Sequence, residues 1–296
     1  MSDHPTKLHP FGFAQLDPVP DDATLSEFYE SRYYDLIRQG GRAPELQKLL
    51  DTQGERPAEL AWLQATQYED VADAIRPHVR PEGEVLDVGC GAGDLVHYLS
   101  AKGFRASGIE PSADAVAVAV SRGAEAHVAT LERWSANPEN VGRYDAVTLM
   151  NVLEHVPDPV GALTHLRTLL SPTGVVTFRV PNDFTALQEV AEATGVQRKR
   201  WWVAVPDHIN YFRESSARAT CAAVGLEVVD VIVDFPMEFF ILMGINYIDD
   251  PAAGKQAHAL RKAFELNLPK AMRQSLYRAL AAQGMGRNLL VTARRA

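Results

Sequence analysis

The sequence predicts an α/β fold: a doubly wound, mostly parallel sheet with helices on both faces, a helical extension before it and a helical insertion near its end. Three observations predict it. Strand-like and helix-like apolar patterns alternate from residue 84 to residue 180, the arrangement that builds a parallel sheet. The first strand runs into three alternate glycines, Gly89, Gly91 and Gly93. The alternation then stops, and helical spacing over residues 236–284 precedes a last strand-like run.

The elements follow in order. Within residues 21–79, Leu46, Leu49 and Leu50, then Leu60 and Leu63, then Val71 and Ile75 recur at helical steps. No strand is expected there, and the proline-bearing stretch before Phe28 is expected to lie on the surface. Residues 85–88 read as a strand and 95–101 as a helix. Residues 105–110 form a second strand, 113–121 a second helix and 126–128 a short strand. Residues 144–150 read as a buried strand. Residues 160–170 read as a helix capped by Asp158 with Pro159 in its first turn. A strand follows at 174–180. Residues 182–211 look irregular and carry Trp201, Trp202 and His208. A helix at 215–224 stops at Gly225, and 226–233 is a strand. In the insertion, Leu260, Ala263, Phe264, Asn267 and Leu268 mark one helix face, ended by Pro269; Met272, Leu276 and Leu280 mark another. The expected units are a helical extension or lid (1–80), a core (81–235), a helical insertion (236–284) and a last core strand (285–296).

Composition narrows the class. A chain of 296 residues can bury a full core. Its net charge of -9 argues against a broad nucleic-acid or anionic-membrane surface. Two cysteines, Cys90 and Cys221, make neither a disulfide framework nor a four-cysteine zinc site; both read as small buried residues. The N-terminus lacks a secretory pattern. The longest apolar run, 239–248, is half the ~20 residues that span a bilayer. The expectation is a cytoplasmic protein with no nucleic-acid or membrane partner.

The glycine turn carries the chemistry. Glycine lets a ligand lie against bare backbone, and the next helix presents unpaired N–H groups to it. Glu110 ends the second strand, 21 residues after Gly89, which suits a carboxylate bound to ribose hydroxyls. The spacing is G-x-G-x-G, where dinucleotide sites favour G-x-G-x-x-G. Asp87 before the turn repels a pyrophosphate and suits a ligand with an amino group or sulfonium.

At these residues the chain resembles the class I S-adenosylmethionine-dependent methyltransferases. Leu86-Asp87-Val88-Gly89-Cys90-Gly91-Ala92-Gly93 is similar to their first motif and Gly108-Ile109-Glu110-Pro111-Ser112 to the second. The run from Tyr144 through Asn151-Val152-Leu153-Glu154-His155 is similar to the fourth, and Leu170-Ser171-Pro172-Thr173-Gly174 to the loop after it. The nearest subgroup contains ubiquinone-pathway O-methyltransferases and small-molecule or sugar-modifying relatives. The resemblance implies a Rossmann-like sheet whose last strand is antiparallel, with S-adenosylmethionine as cofactor. It places Asp87, Gly89, Cys90, Gly91, Gly93, Glu110, Pro111, Thr130, Leu131, Asn151 and Val152 around that cofactor. Thr130 stands where many relatives carry an acidic adenine contact.

Two histidines are base candidates. His155 follows Glu154 in a segment resembling the Glu-x-x-Glu-His of ubiquinone-type enzymes, but Asn151 replaces the first glutamate, so no metal is expected. Ordering of the loop is the competing role for Glu154 and His155. His208 lies in Pro206-Asp207-His208-Ile209-Asn210-Tyr211-Phe212, similar to a family His-Ile-Asn segment; a backbone-bonded structural histidine is its competing reading. A histidine near its ordinary pKa suits proton removal from a hydroxyl or amine. Tyr33, Trp201, Trp202 and Tyr211 are candidate substrate contacts. The expected function is methylation of a small molecule or glycan precursor, most simply at oxygen with a histidine base. N- or C-methylation, a nicotinamide oxidoreductase and a non-catalytic cofactor-binding protein are the alternatives. The insertion's apolar residues, including Met237, Phe239, Phe240, Met243 and Tyr247, fit a core of its own, a pocket wall or a homodimer contact.

Overall fold

A computed structural model describes residues 5–21, 56–197, 199–205 and 207–296, together with Thr24 and Gly54. The candidate substrate contact Tyr33, and the leucines at 46, 49 and 50, lie outside the described residues. The main sheet has seven strands in the order β5-β4-β3-β6-β7-β10-β9: β3 (Glu84–Val88), β4 (Arg105–Glu110), β5 (Ala126–Val128), β6 (Tyr144–Met150), β7 (Leu170–Pro181), β9 (Leu226–Val233) and β10 (Asn288–Arg295). The first five are parallel. β10 enters antiparallel between β7 and β9. Strand order reverses between β3 and β6, which opens a crevice at their carboxyl ends.

Helices α1 (Arg56–Ala65) and α2 (Gln67–Ile75) precede the sheet, and α3 (Asp94–Ala101), α4 (Ala113–Ser121), α5 (Leu131–Ala136) and α6 (Pro159–Leu169) make its crossovers. Both faces of the sheet are covered, so β6 is apolar along its length and is buried from Tyr144 to Leu149. Thr148 and Asp145 are the exceptions. The Asp145 carboxylate is closed by Arg80 and by the Ser171 hydroxyl, which hold it below the usual range although burial opposes this.

Three departures from the sequence reading have physical causes. Residues 5–16 hold a hairpin, β1 (Thr6–Leu8) and β2 (Ala14–Leu16), where no strand was expected. It joins β8 (Asn210–Tyr211) in a second, three-stranded sheet. Strands of two or three residues show no period. Residues 182–211 are not wholly irregular, since α7 (Ala186–Ala193) begins at a Thr185–Gln188 capping box. α8 (Glu214–Ala223) precedes β9, and α9 (Glu238–Leu242), α10 (Pro251–Asn267) and α11 (Lys270–Ala282) fill the insertion after it.

The third departure concerns α10 and α11. Their expected apolar faces point outward: Leu260, Phe264, Met272 and Leu276 are exposed. The buried faces carry Arg261, Glu265, Arg273 and Tyr277 instead. Arg273 forms a bidentate pair with Asp70 on α2 (2.6 and 2.8 Å). Glu265 accepts from the Trp62 indole on α1 and from the Tyr277 hydroxyl, both at 2.7 Å. Polar partners on α1 and α2 supply what an apolar contact would otherwise provide.

Candidate active site

The glycine turn leaves β3 at the strand-order reversal. Gly89 has φ +72° and a Cβ there would sit 2.6 Å from Val152 Cγ2, so the turn touches the loop after β6. Gly91 has φ +51°, and a Cβ there would meet nothing within 4 Å. That bare face is the one a ligand can lie against. Gly93 caps α3. The Cys90 thiol is pushed up to about 12 by burial and by the charges of Asp87 and Glu110, so it packs as a neutral group.

Two carboxylates flank the turn. Glu110 accepts the Gly91 N–H (3.2 Å) on one oxygen and the Ser112 N–H (3.0 Å) on the other. Each oxygen keeps a lone pair for a hydroxyl donor. Pro111 beside it is exposed. Asp87 is 4% exposed and accepts the Thr148 hydroxyl at 2.6 Å. Burial pushes its carboxyl up to about 7 against the effect of that bond, with the Glu110 charge adding. After β5 the Ala129 N–H donates to the Glu110 carbonyl. Thr130 caps α5, its hydroxyl accepting from the Arg133 N–H, and Leu131 opens that helix.

The loop after β6 faces this turn. Asn151 has φ +56°, an uncommon conformation for a residue with a side chain. Arg179 holds it there: the Asn151 N–H donates to the Arg179 carbonyl (2.9 Å), and Arg179 Nη1 donates to Asn151 Oδ1 (2.8 Å). Arg179 in turn pairs with Asp234 at 2.9 Å, which Arg261 meets at 3.0 Å from α10. An ionic chain with both guanidiniums buried thus ties the helical insertion to the loop after β6. The cavity of about 30 Å³ between these groups is too small for an organic acceptor.

His155 and His208 are brought together, their rings perpendicular at 4.9 Å. His155 Nδ1 lies 2.7 Å from the Asp207 carbonyl. A carbonyl only accepts, so Nδ1 carries a proton, and in the neutral ring Nε2 holds the lone pair. Nε2 is 3.8 Å from Glu154 Oε1. Glu154 is 2% exposed, and burial raises its carboxyl above the usual range. Ligand atoms of Glu154, His155 and His208 all lie within 4.8 Å of one another, a donor set able to hold a divalent cation. The second sheet fastens this corner. Asn210 Nδ2 donates to the Leu153 and Val156 carbonyls, and the Ile209 and Asn210 N–H groups donate to the Glu154 carbonyl.

Of the candidate substrate contacts, Tyr211 is fully buried and its hydroxyl donates to the His208 carbonyl (2.7 Å). Trp201 and Trp202 meet edge-on at 4.8 Å, Trp202 buried and Trp201 partly so. Sequence reading passed over Arg179, Asp234, Asp183 and Glu238, although a lone arginine in the apolar run of β7 signals a buried partner.

A Rossmann-like sheet, a glycine turn at its switch point and a flanking acidic pair define a nucleoside-cofactor enzyme of the methyltransferase class. A family model described as a methyltransferase domain matches residues 53–231. The chain is similar to the ubiquinone biosynthesis O-methyltransferases of Aromatoleum aromaticum (31% identity; 50% of this chain, 65% of that protein) and Azotobacter vinelandii (34% identity; 53% and 71%). The chain thus spans about two thirds of the length of these curated relatives. The fold is similar to that of magnesium protoporphyrin IX methyltransferase from Synechocystis PCC 6803 (TM-score 0.54, 15% identity, 93% of this chain and 100% of that one). It is also similar to that of 1,6-didemethyltoxoflavin-N1-methyltransferase from Burkholderia thailandensis (TM-score 0.52, 14% identity, 100% and 98%). The chain belongs to the methyltransferase-domain family, the class I enzymes that use S-adenosylmethionine as methyl donor.

Proposed function

We propose that the protein transfers a methyl group from S-adenosylmethionine to a hydroxyl of a small molecule or glycan precursor, with His155 as base. The observation that carries this reading is the fixed tautomer of His155, which presents the Nε2 lone pair beside a loop that touches the glycine turn. S-adenosylmethionine supplies a methyl group already activated on a sulfonium. The chain's own residues then have to align the acceptor, exclude water and take its proton. Asp87 and Glu110 suit the ammonium and ribose ends of the donor. His208, against the His155 ring, shares the proton-accepting corner. No helix among the described residues is long and apolar enough to cross a membrane.

His155→Ala is expected to lower kcat by about 10²–10⁴-fold while S-adenosylmethionine binding, read by calorimetry, stays within a factor of two or so of wild type. Retained turnover in that variant and loss in His208→Ala would move the base to His208. Retained turnover in both would sink the histidine mechanism.

Donor binding should depend on pH through Asp87. A bound ammonium favours the ionised carboxylate, so below the value of about 7 the ligand has to displace a proton. Affinity is expected to rise about tenfold per pH unit up to that value and then level off. Asp87→Asn should flatten the profile. A wild-type profile that is flat between pH 5.5 and 8, or that falls, would contradict the assignment.

A further inference from the structure

We propose that the acceptor carries an ammonium group alongside its hydroxyls, and that Asp183 and Glu238 bind it beyond the carboxyl end of β7, next to Trp202. The inference rests on the methyl-acceptor site just described and names the chemical class of molecule it takes.

Asp183 lies two residues past the end of β7, and Glu238 opens α9 across from α7. Asp183 is 4% and Glu238 1% exposed. Among the described residues, Asp183 Oδ2 and Glu238 Oε2 are buried with no hydrogen-bond partner; Glu238 Oε1 accepts from the Gln188 amide at 3.3 Å. A different kind of group supplies an independent observation. The Trp202 indole N–H is likewise buried without an acceptor. Trp202 meets Phe184, the neighbour of Asp183 in the chain, edge-on at 5.8 Å. Buried carboxylates and indole N–H groups are ordinarily paired, because leaving them unpaired forfeits their hydration without return.

The sign of the charge selects the ligand. Asp183 feels the charges of Glu238 and Glu154 as well as that of Arg287, and the same Arg287 acts on Glu238. One guanidinium thus acts on both carboxylates, while Glu154 beside Asp183 and Asp234 beside Glu238 add further negative charge. Burial drives the Asp183 and Glu238 carboxyls upward, which states the same deficit of positive charge. An anionic acceptor would add to the repulsion, and a neutral polyol would leave the deficit in place. An ammonium ion supplies both the charge and several N–H donors for the open carboxylate oxygens. The Trp202 N–H, which can only donate, is matched by a hydroxyl oxygen on the same molecule.

The test uses the full chain saturated with S-adenosylhomocysteine and titrated by calorimetry with matched pairs: dopamine and 4-ethylcatechol, glucosamine and glucose, 2-phenylethanolamine and 1-phenylethanol. At least one ammonium member is expected to bind about tenfold or more tightly than its neutral partner, the scale of one charge-assisted bond. Asp183→Asn and Glu238→Gln, each checked for an unchanged melting transition, should bring that ratio to about one. Trp202→Phe keeps the charges and should weaken both members equally, leaving the ratio in place. Equal binding within every pair, tighter binding of the neutral members, or no binding by any ammonium member overturns the proposal. Failure to bind S-adenosylhomocysteine would instead overturn the methyltransferase reading, so the two failures are separable.

Discussion

Asp234→Ala is expected to lower the unfolding free energy by about 3–5 kcal/mol, the usual effect of removing one partner from a buried charge pair. Asp234 accepts from Arg179, from Arg261 and from both nitrogens of Asn288. Burial alone would raise its carboxyl, but Arg261 and Arg179 outweigh that and hold it low. The alanine variant leaves two guanidiniums with exposures of 7% and 4% facing each other without their shared carboxylate. Arg179 then loses the anchor that aims it at Asn151, so turnover should fall by more than KM rises. Urea unfolding and steady-state kinetics of the same preparation measure both effects. A loss below about 1 kcal/mol, the size expected of an exposed pair, would mean the chain of charges is not a structural tie.

Glu110→Ala should weaken donor binding by about 10²–10⁴-fold, the loss of two hydrogen bonds to an ionised group at about 1.5–3 kcal/mol each. The carboxylate works in two directions. It holds the Gly91 and Ser112 N–H groups, and in the proposed role its remaining lone pairs take the ribose hydroxyls. Glu110→Gln keeps an acceptor oxygen and should fall between wild type and alanine. Calorimetry with S-adenosylhomocysteine reads the series; an alanine variant within fivefold or so of wild type would place the ribose elsewhere.

The parallel half of the fold was legible in the sequence. β4, α4, β5, β6 and β9 fall on the residues their patterns indicate, because each packs apolar side chains against the sheet. The glycine turn was legible because backbone geometry restricts residue type, and Glu110 ends β4 against that turn, where its spacing from Gly89 placed it. What escaped the sequence depends on contacts far apart in the chain. The hairpin at 6–16 exists because β2 finds β8, and α10 and α11 turn their charged faces inward because Asp70, Trp62 and Asp234 await them. Apolar periodicity counts only one kind of partner and assigned those two helices the wrong face. Asp183 and Glu238 belong to no local motif, and only the folded chain brings their charges together.

The position of β10 has a consequence for the order in which the protein assembles. β9 lies at the edge of the sheet, and its one strand neighbour is β10. During synthesis β9 leaves the ribosome well before residues 288–295, with all of α9, α10 and α11 between them. Until β10 arrives, the outer edge of β7 has open hydrogen-bonding groups and β9 has nowhere to dock. Such an edge is a template for pairing with another chain. The nascent protein is therefore most exposed to aggregation late in its translation, and the helical insertion sets how long that interval lasts.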